Sequence, residues 1–335
     1  MKPFAYLRAE NESAAVAAAD AAACYVAGGT DFMQLWKAGV SSPQLVIDIN
    51  RLPYQGVVLD EAGASIGALA TMSSVAEHPG IGAECPVIAQ ALLASASPQV
   101  RNVATIGGNL LQRTRCPYFR AADLPCNKRT PGSGCGALDG LHRQHAIFGG
   151  SDSCIATHAS DLAVALLALD ARVRVRGRVE REISLDELYL LPGDHPERET
   201  TLEPGELLAE IRVPRSPRAR RSLYLKVRDR ASFEFAVVSV AVALELRGGR
   251  IESARVAAGG VGTKPWRLRA CEQQLEGAEC RRDVLVEAAQ ASAQGARPLE
   301  QNGFKVQLLE GAVLRALLAV PDLPFLPSAR SRTNG

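Results

Sequence analysis

The stretch from residue 112 to about residue 157 constrains the fold most, because it reads as neither helix nor strand. It is rich in Cys, Gly, Pro, Arg and Asp, and its apolar residues keep no period of two or of about 3.6. Loops this long are uncommon inside compact domains, and such a segment is functional or is held by something other than its own core. Four of the chain's eight cysteines fall within it, as Cys116-x9-Cys126-x8-Cys135-x18-Cys154. A chain of 335 residues, 47% of them apolar, buries enough surface to fold without a disulfide scaffold. Clustered thiols in such a chain point to metal. The spacings match none of the common ferredoxin patterns, and four thiolates suit structural zinc as well as a [4Fe–4S] cluster. His142, His145 and His158 are near enough in sequence to replace one cysteine. Cys24, at a strand start, and Cys85, before an apolar helix, read as core residues.

Regular structure is expected on both sides of this segment. CYVAGG reads as a short buried strand followed by a helix over about Asp31 to Ala38, and QLVIDIN as a second strand. GVVLDEAGASIGALA alternates around a Gly-containing turn, as a hairpin does. CPVIAQALLASAS has helical apolar spacing, and QVRNVATIGGNL reads as a strand running into paired glycines. After the cysteine-rich segment, Ser160 and Asp161 are placed to cap the helix of SDLAVALLALDA, and ARVRVRG is a strand. VPRSPRARR reads as a solvated linker. From Ser222 the order is strands (SLYLKVR, FAVVSVAVALELRGGRIESARVAAGG with a Gly-Gly hairpin), then helices (RACEQQLEG, DVLVEAAQASA, FKVQLLEGAVLRALLAV). That order predicts an α+β unit. The expected organisation is a first domain over 1–219 containing the inserted 112–157 segment, a second over 220–325, and a disordered tail over 326–335.

The formal net charge of +2 gives no electrostatic argument for nucleic acid or an acidic membrane. No run of about 18 apolar residues occurs, so no membrane insertion is expected. Arg8, Glu10, Glu12 and Asp20 interrupt the N-terminal apolar run, so no export signal is expected there.

Two short runs carry the chemistry of the first domain: Ala27-Gly28-Gly29-Thr30-Asp31 and Thr105-Ile106-Gly107-Gly108-Asn109. Each is read as ending a strand. Paired glycines permit positive φ and leave no Cβ between the backbone and a ligand. Successive N–H groups in such turns form nests for phosphate oxygens. Neither run fits the Rossmann or the P-loop pattern.

VAGGTDF, ATIGGNL, SDLAVALLALDA, GELLAEIRVP, LKVRDRASFEFAVVSVAVAL and AAGGVGTKPWR occur in this order from about Pro3 to Leu318. With them the chain resembles the FAD-binding (medium) subunits of the xanthine dehydrogenase, carbon monoxide dehydrogenase and aldehyde oxidoreductase family. Within it, the chain is most similar to the FAD-binding subunits of bacterial periplasmic aldehyde oxidoreductases, which carry an extra cysteine loop at this place. The resemblance implies an α+β fold: a two-subdomain FAD-binding domain of PCMH/VAO-like type, then a C-terminal domain of CO dehydrogenase flavoprotein type. It implies that Val26, Ala27, Gly28, Gly29, Thr30, Asp31, Phe32, Met33 and Gln34, with Thr105, Ile106, Gly107, Gly108 and Asn109, hold the FAD diphosphate and ribityl chain. It also implies that Asp161 contacts FAD and that Leu208 and Lys226 lie near the isoalloxazine ring, where a lysine charge stabilises anionic reduced flavin. Without the resemblance, Lys226 would read as a surface strand lysine.

The resemblance further implies that Cys116, Cys126, Cys135 and Cys154 ligate a [4Fe–4S] cluster. Arg113, Arg115, Arg120, Lys128, Arg129 and Arg143 would then favour the reduced cluster by their charge, unless they are simply solvated. The chain has no C-x4-C-x2-C motif and nothing resembling molybdenum-cofactor loops. Substrate chemistry is therefore expected on a molybdenum-cofactor large subunit. A small [2Fe–2S] subunit would relay electrons to FAD in this chain of a heterotrimer, which would pass them to an external acceptor. Two other readings stay open: the FAD/[4Fe–4S] subunit of a hydroxybenzoyl-CoA reductase-like enzyme, and a zinc-stapled scaffold without redox function. The expected compartment is the periplasm, by co-export with a signal-bearing partner, or else the cytoplasm.

Overall fold

The runs AYLR, ACYV and LVID are each too short to stand alone and combine into one parallel sheet. A computed structural model describes residues 2–320; the expected tail at 326–335 and the end of the second expected domain lie outside the described residues. Strands β1 (Ala5–Arg8), β2 (Ala23–Val26) and β3 (Leu45–Asp48) pair in the order β1-β3-β2, all parallel. Parallel neighbours need crossovers. Helices Glu12–Ala18 and Phe32–Lys37 supply them, the first capped by Asn11, whose Oδ1 accepts the Ala14 N–H at 2.9 Å.

The second sheet is antiparallel. Its strands are β4 (Val57–Leu59), β5 (Gly63–Gly67), β6 (Arg172–Arg176), β7 (Arg181–Ser184) and β8 (Leu207–Pro214), in the order β4-β5-β8-β6-β7. The β4–β5 hairpin is the one expected from GVVLDEAGASIGALA. Between β5 and β6 the chain makes the helices Pro86–Leu93 and Asp161–Ala168 and the cysteine-rich segment. Every residue of Asp161–Ala168 is buried, which suits a helix apolar on all sides.

The third sheet holds β9 (Ser222–Val227), β10 (Val238–Arg247), β11 (Arg250–Gly259) and β12 (Trp266–Arg267), antiparallel in the order β12-β11-β10-β9. Gly248 and Gly249 turn β10 into β11 with positive φ at both, as a two-residue hairpin requires. Alternate residues of β10 face two cores. Val240, Val242 and Leu244 join helices Arg269–Leu275, Arg282–Ala291 and Phe304–Ala319, whereas Ala241 and Ala243 join helix Asp161–Ala168. Burial on both faces explains why β10 reads as a nearly unbroken apolar run.

Two local expectations are corrected. QVRNVATIGG is not a strand: Pro98–Arg101 is a helical turn capped by Ser97, and Thr105 caps a short helix, Ile106–Leu110. VPRSPRARR is not a solvated linker, because β8 runs through Pro214 and Pro217–Arg220 is helical. Arg218 and Arg220 pair with Asp170 at 2.5 Å and Glu84 at 2.6 Å.

Candidate functional site

The two glycine runs meet back to back. A Cβ on Gly28 would lie 1.9 Å from the Val103 carbonyl oxygen, so only glycine lets the first loop approach the residues just before Thr105. Gly29 has φ of 71°. Among the described residues, the N–H groups of Gly28, Gly29, Thr30 and Asp31 have no protein hydrogen-bond acceptor. This row of free, half-buried donors enters helix Phe32–Lys37, and the Asp31 side chain makes no capping bond to it. Successive free amides of this kind are anion receptors.

The second loop differs. Its Ile106 and Gly107 N–H groups donate to Ala70 and Ala68 carbonyls at 2.9 and 2.8 Å. Those of Gly108 and Asn109 donate to the Thr105 hydroxyl at 3.2 Å and the Thr105 carbonyl at 2.8 Å. The expectation that both loops end strands and present free amides is therefore corrected. A Cβ on Gly107 would come within 3.0 Å of Ala68, so this glycine serves close packing.

Residues outside the motifs fix the first loop. Asn50 Nδ2 donates to the Ala27 carbonyl at 3.2 Å and to Asp48 Oδ1 at 2.8 Å. Burial raises the Asp48 pKa, but hydrogen bonds from Tyr6, Asn50 and Arg8 outweigh it and hold the carboxyl at about 2. The Asp31 carboxylate turns toward the cysteine-rich segment, meeting Arg120 at 2.8 Å, Arg115 at 3.0 Å and the Arg113 N–H at 2.9 Å. None of these partners carried a sequence signal beyond its charge.

Asp161 and Lys226 form an ion pair of 2.7 Å in which both side chains are almost inaccessible. Lys226 is thus no surface lysine. Asp161 also accepts hydrogen bonds from Ser95, at 2.8 Å, and from Tyr224. Burial and the Asp161 charge push the Tyr224 hydroxyl well above its usual range. With its charge matched by Asp161, Lys226 adds little net field to its surroundings. Ser160, beside Asp161, donates to Asn109 Oδ1 at 2.6 Å and so ties this network to the second loop. Leu208 is buried in the core on β8, which packs against helix Ile106–Leu110.

The fold gathers the four cysteines of the inserted segment. Cys116, Cys126, Cys135 and Cys154 line one small cavity, with Phe119 and Lys128 in its wall. Cys126 and Cys135 face each other across an isolated antiparallel bridge, and all four are free thiols. Burial pushes the Cys116 thiol up to about 11 and raises that of Cys154. Among the described residues, no three His, Cys, Asp or Glu side chains converge closely enough to hold a single metal ion. Four thiols lining one cavity are the donor set that a [4Fe–4S] cluster needs, one per iron, and equally that of a structural zinc ion. Most basic residues of the segment are engaged by protein acceptors, while Arg143 sits in a half-exposed pair. Arg113 and Lys128 pair with Glu199, Arg143 pairs with Asp229 at 3.0 Å, and Arg129 donates to the Tyr118 and Phe119 carbonyls.

Residues 2–216 match the family described as the FAD binding domain in molybdopterin dehydrogenase, and residues 223–320 match the CO dehydrogenase flavoprotein C-terminal domain. The chain is 44% identical over 326 residues to the aldehyde oxidoreductase FAD-binding subunit PaoB of Escherichia coli, covering 95% of this chain and 98% of that one. It is 28% identical over 280 residues to the glyceraldehyde dehydrogenase medium chain of Sulfolobus acidocaldarius, covering 83% and 82%. The fold is shared with carbon monoxide dehydrogenase from Hydrogenophaga pseudoflava, with a TM-score of 0.73, 24% identity and 96% and 98% coverage. It is likewise shared with a cyanide-inactivated Cu,Mo-CO dehydrogenase, with a TM-score of 0.74, 21% identity and 96% and 99% coverage. The chain belongs to the family of FAD-binding subunits of molybdenum hydroxylases, oxidoreductase flavoproteins in which an FAD-binding domain is followed by a CO dehydrogenase flavoprotein C-terminal domain.

Proposed function

We propose that this chain is the FAD-binding electron-transfer subunit of a molybdenum-dependent aldehyde oxidoreductase and holds a [4Fe–4S] cluster in its inserted segment. The single observation that carries the flavin reading is the row of free N–H groups from Gly28 to Asp31, pressed against Val103 and backed by the capped helix Ile106–Leu110. Bound FAD supplies both one- and two-electron chemistry, so a relay of single electrons can meet a two-electron acceptor.

The chain's own residues provide the cradle. The Gly28–Asp31 amides receive the diphosphate, Thr105 to Asn109 shape the wall behind it, and the Asp161–Lys226 pair keeps Tyr224 and Ser95 in place beneath. Cys116, Cys126, Cys135 and Cys154 supply one thiolate to each iron of the cluster. Aldehyde as the substrate class rests on the extent of the likeness to PaoB. Substrate oxidation belongs to a molybdenum-cofactor large subunit, and a small [2Fe–2S] subunit relays electrons to this chain in a heterotrimer. An external acceptor takes them up, and the complex works in the periplasm after co-export with a signal-bearing partner.

Purification of the native complex tests the reading. Expected are acid-releasable FAD bound to this chain, iron and acid-labile sulfide in about a four-to-four ratio on the same chain, dye reduction with aldehydes but not aryl-CoA thioesters, and recovery from the periplasmic fraction. A colourless chain with stoichiometric zinc and no flavin would overturn it. Activity only with aryl-CoA thioesters would move the complex to the reductase class, and cytoplasmic recovery would remove the co-export step.

A further inference from the structure

The first turn of helix Phe304–Ala319 carries a lysine that is shut off from solvent. Lys305 is 0% exposed, and its Nζ donates to the carbonyls of Gly260 at 2.7 Å, Gln144 at 2.8 Å and His145 at 3.0 Å. All three partners are neutral backbone groups. An ammonium has three N–H donors and a neutral amine two, so three acceptors at these distances match the charged form. Burial draws Lys305 down to about 7, which marks how costly that charge is in this place. A buried cation with no anion against it is strongly unfavourable, and such a charge is retained where an anion lies a little further off.

Asp229 is one such anion, and the cysteine cavity is reached from Lys305 through His145, whose carbonyl accepts from Nζ and whose ring meets Cys116. His145 is 4% exposed, and its Nε2 lies 3.2 Å from Cys116 Sγ. The opposite ring nitrogen, Nδ1, is buried without a partner. Against a thiolate, which has no proton to give, this contact requires the ring proton on Nε2. Asn302, fully buried, donates to the His145 and Ala146 carbonyls at 3.3 Å each, so the C-terminal unit grips the His145 backbone at two points.

We propose that His145 donates a hydrogen bond to the Cys116 thiolate and that Lys305 acts as a positioning residue behind it, together making the iron–sulfur centre easier to reduce. This rests on reading the cavity as a [4Fe–4S] site. Four thiolates make that centre anionic, and it becomes more so on gaining one electron; no bond forms or breaks. Hydrogen bonds to ligand sulfur and nearby positive charge both favour the reduced state. A role for Lys305 confined to fold stability, with the His145 ring left in place, would lower the melting temperature and leave the potential where it is.

The test is a dithionite titration of the whole complex followed by electron paramagnetic resonance, with the flavin as internal reference. Iron and labile sulfide are measured first in the unaltered protein. Zinc, or iron without sulfide, sinks the reading of the cavity and this proposal with it. If the centre is present, Lys305→Gln and His145→Leu should each shift its reduction equilibrium about tenfold toward the oxidised state, equal to about 59 mV for one electron. His145→Gln, which restores an N–H toward Sγ, should recover most of that shift. Should Lys305→Gln fail to fold, the His145→Leu and His145→Gln pair decides alone. A centre retained at its original potential in His145→Leu refutes the proposal even though the cluster reading stands.

Discussion

Gly28 shows how much one missing side chain can decide. Its ideal Cβ would sit 1.9 Å from a backbone oxygen, an overlap that no rotamer change relieves. Gly28→Ala must therefore push the first loop away from Val103 and misalign the amides from Gly28 to Asp31. Overpacking of this kind costs about 1–3 kcal/mol. Most of that loss falls on the bound geometry, so FAD affinity is expected to drop by at least about tenfold, with the melting temperature of the flavin-free protein lowered less. Fluorescence titration of deflavinated protein with FAD checks this, and wild-type affinity in the variant would show that the close approach is irrelevant to the flavin. Gly107 invites the same substitution with a milder result, because its nearest neighbours, Ala68 Cβ at 3.0 Å and the Ala68 carbonyl oxygen at 3.1 Å, overlap a new Cβ far less.

At the scale of elements, strand β3 is tied to the first loop by what stands at its end. Asp48 closes β3, and Asn50 links its carboxylate to the Ala27 carbonyl. A carboxyl held at about 2 instead of 3.8 stabilises the folded state above pH 4, and that contribution disappears as the pH falls from 4 toward 2. Its size is roughly 1–2 kcal/mol, discounted because Tyr6 and Arg8 are about half exposed. Asp48→Asn should thus melt earlier than the parent at pH 6, and the two curves should converge near pH 2. Parallel curves over that range would place the loss elsewhere. The same element shows what a sequence can and cannot disclose. LVID and the β4–β5 hairpin are legible because their apolar spacing and turn residues are local. QVRNVATIGG misleads because Val103, Thr105 and Ile106 are β-branched, while the signals that win are the caps Ser97 and Thr105. The glycine pairs and clustered cysteines are visible as patterns. The ties of Asp31 to Arg115 and Arg120, of Asp161 to Lys226, and of Lys305 to three carbonyls join residues far apart in sequence, and nothing in the spacing announces them.

Across the whole molecule, the inserted segment is a bridge. Its first part grips the glycine loop through Asp31, which pairs with Arg115 and Arg120 on either side of Cys116. Its later part docks on the C-terminal unit: Ile147 and Phe148 donate to the Val261 carbonyl, Phe148 stacks on Trp266 at 5.2 Å, and Arg297, Asn302 and Lys305 return hydrogen bonds to residues 144–147. Around the cysteines the segment packs Phe119 and Cys126 against Leu35 of helix Phe32–Lys37 in a small apolar cluster, and the proposed [4Fe–4S] centre would brace it further. Loss of that proposed centre should then reach the flavin loop through Asp31. Arg120→Gln, which removes one partner while Arg115 remains, should weaken FAD binding by about 1 kcal/mol, or about fivefold, and leave iron content unchanged. Cys126→Ser should remove the iron–sulfur absorbance and weaken FAD at least as much, with flavin still detectable at saturating concentration. The comparison of the two is the informative one. If Cys126→Ser loses its iron yet binds FAD as tightly as the parent, the cysteines hold the segment without governing the loop, and the Asp31 contacts are only an anchor.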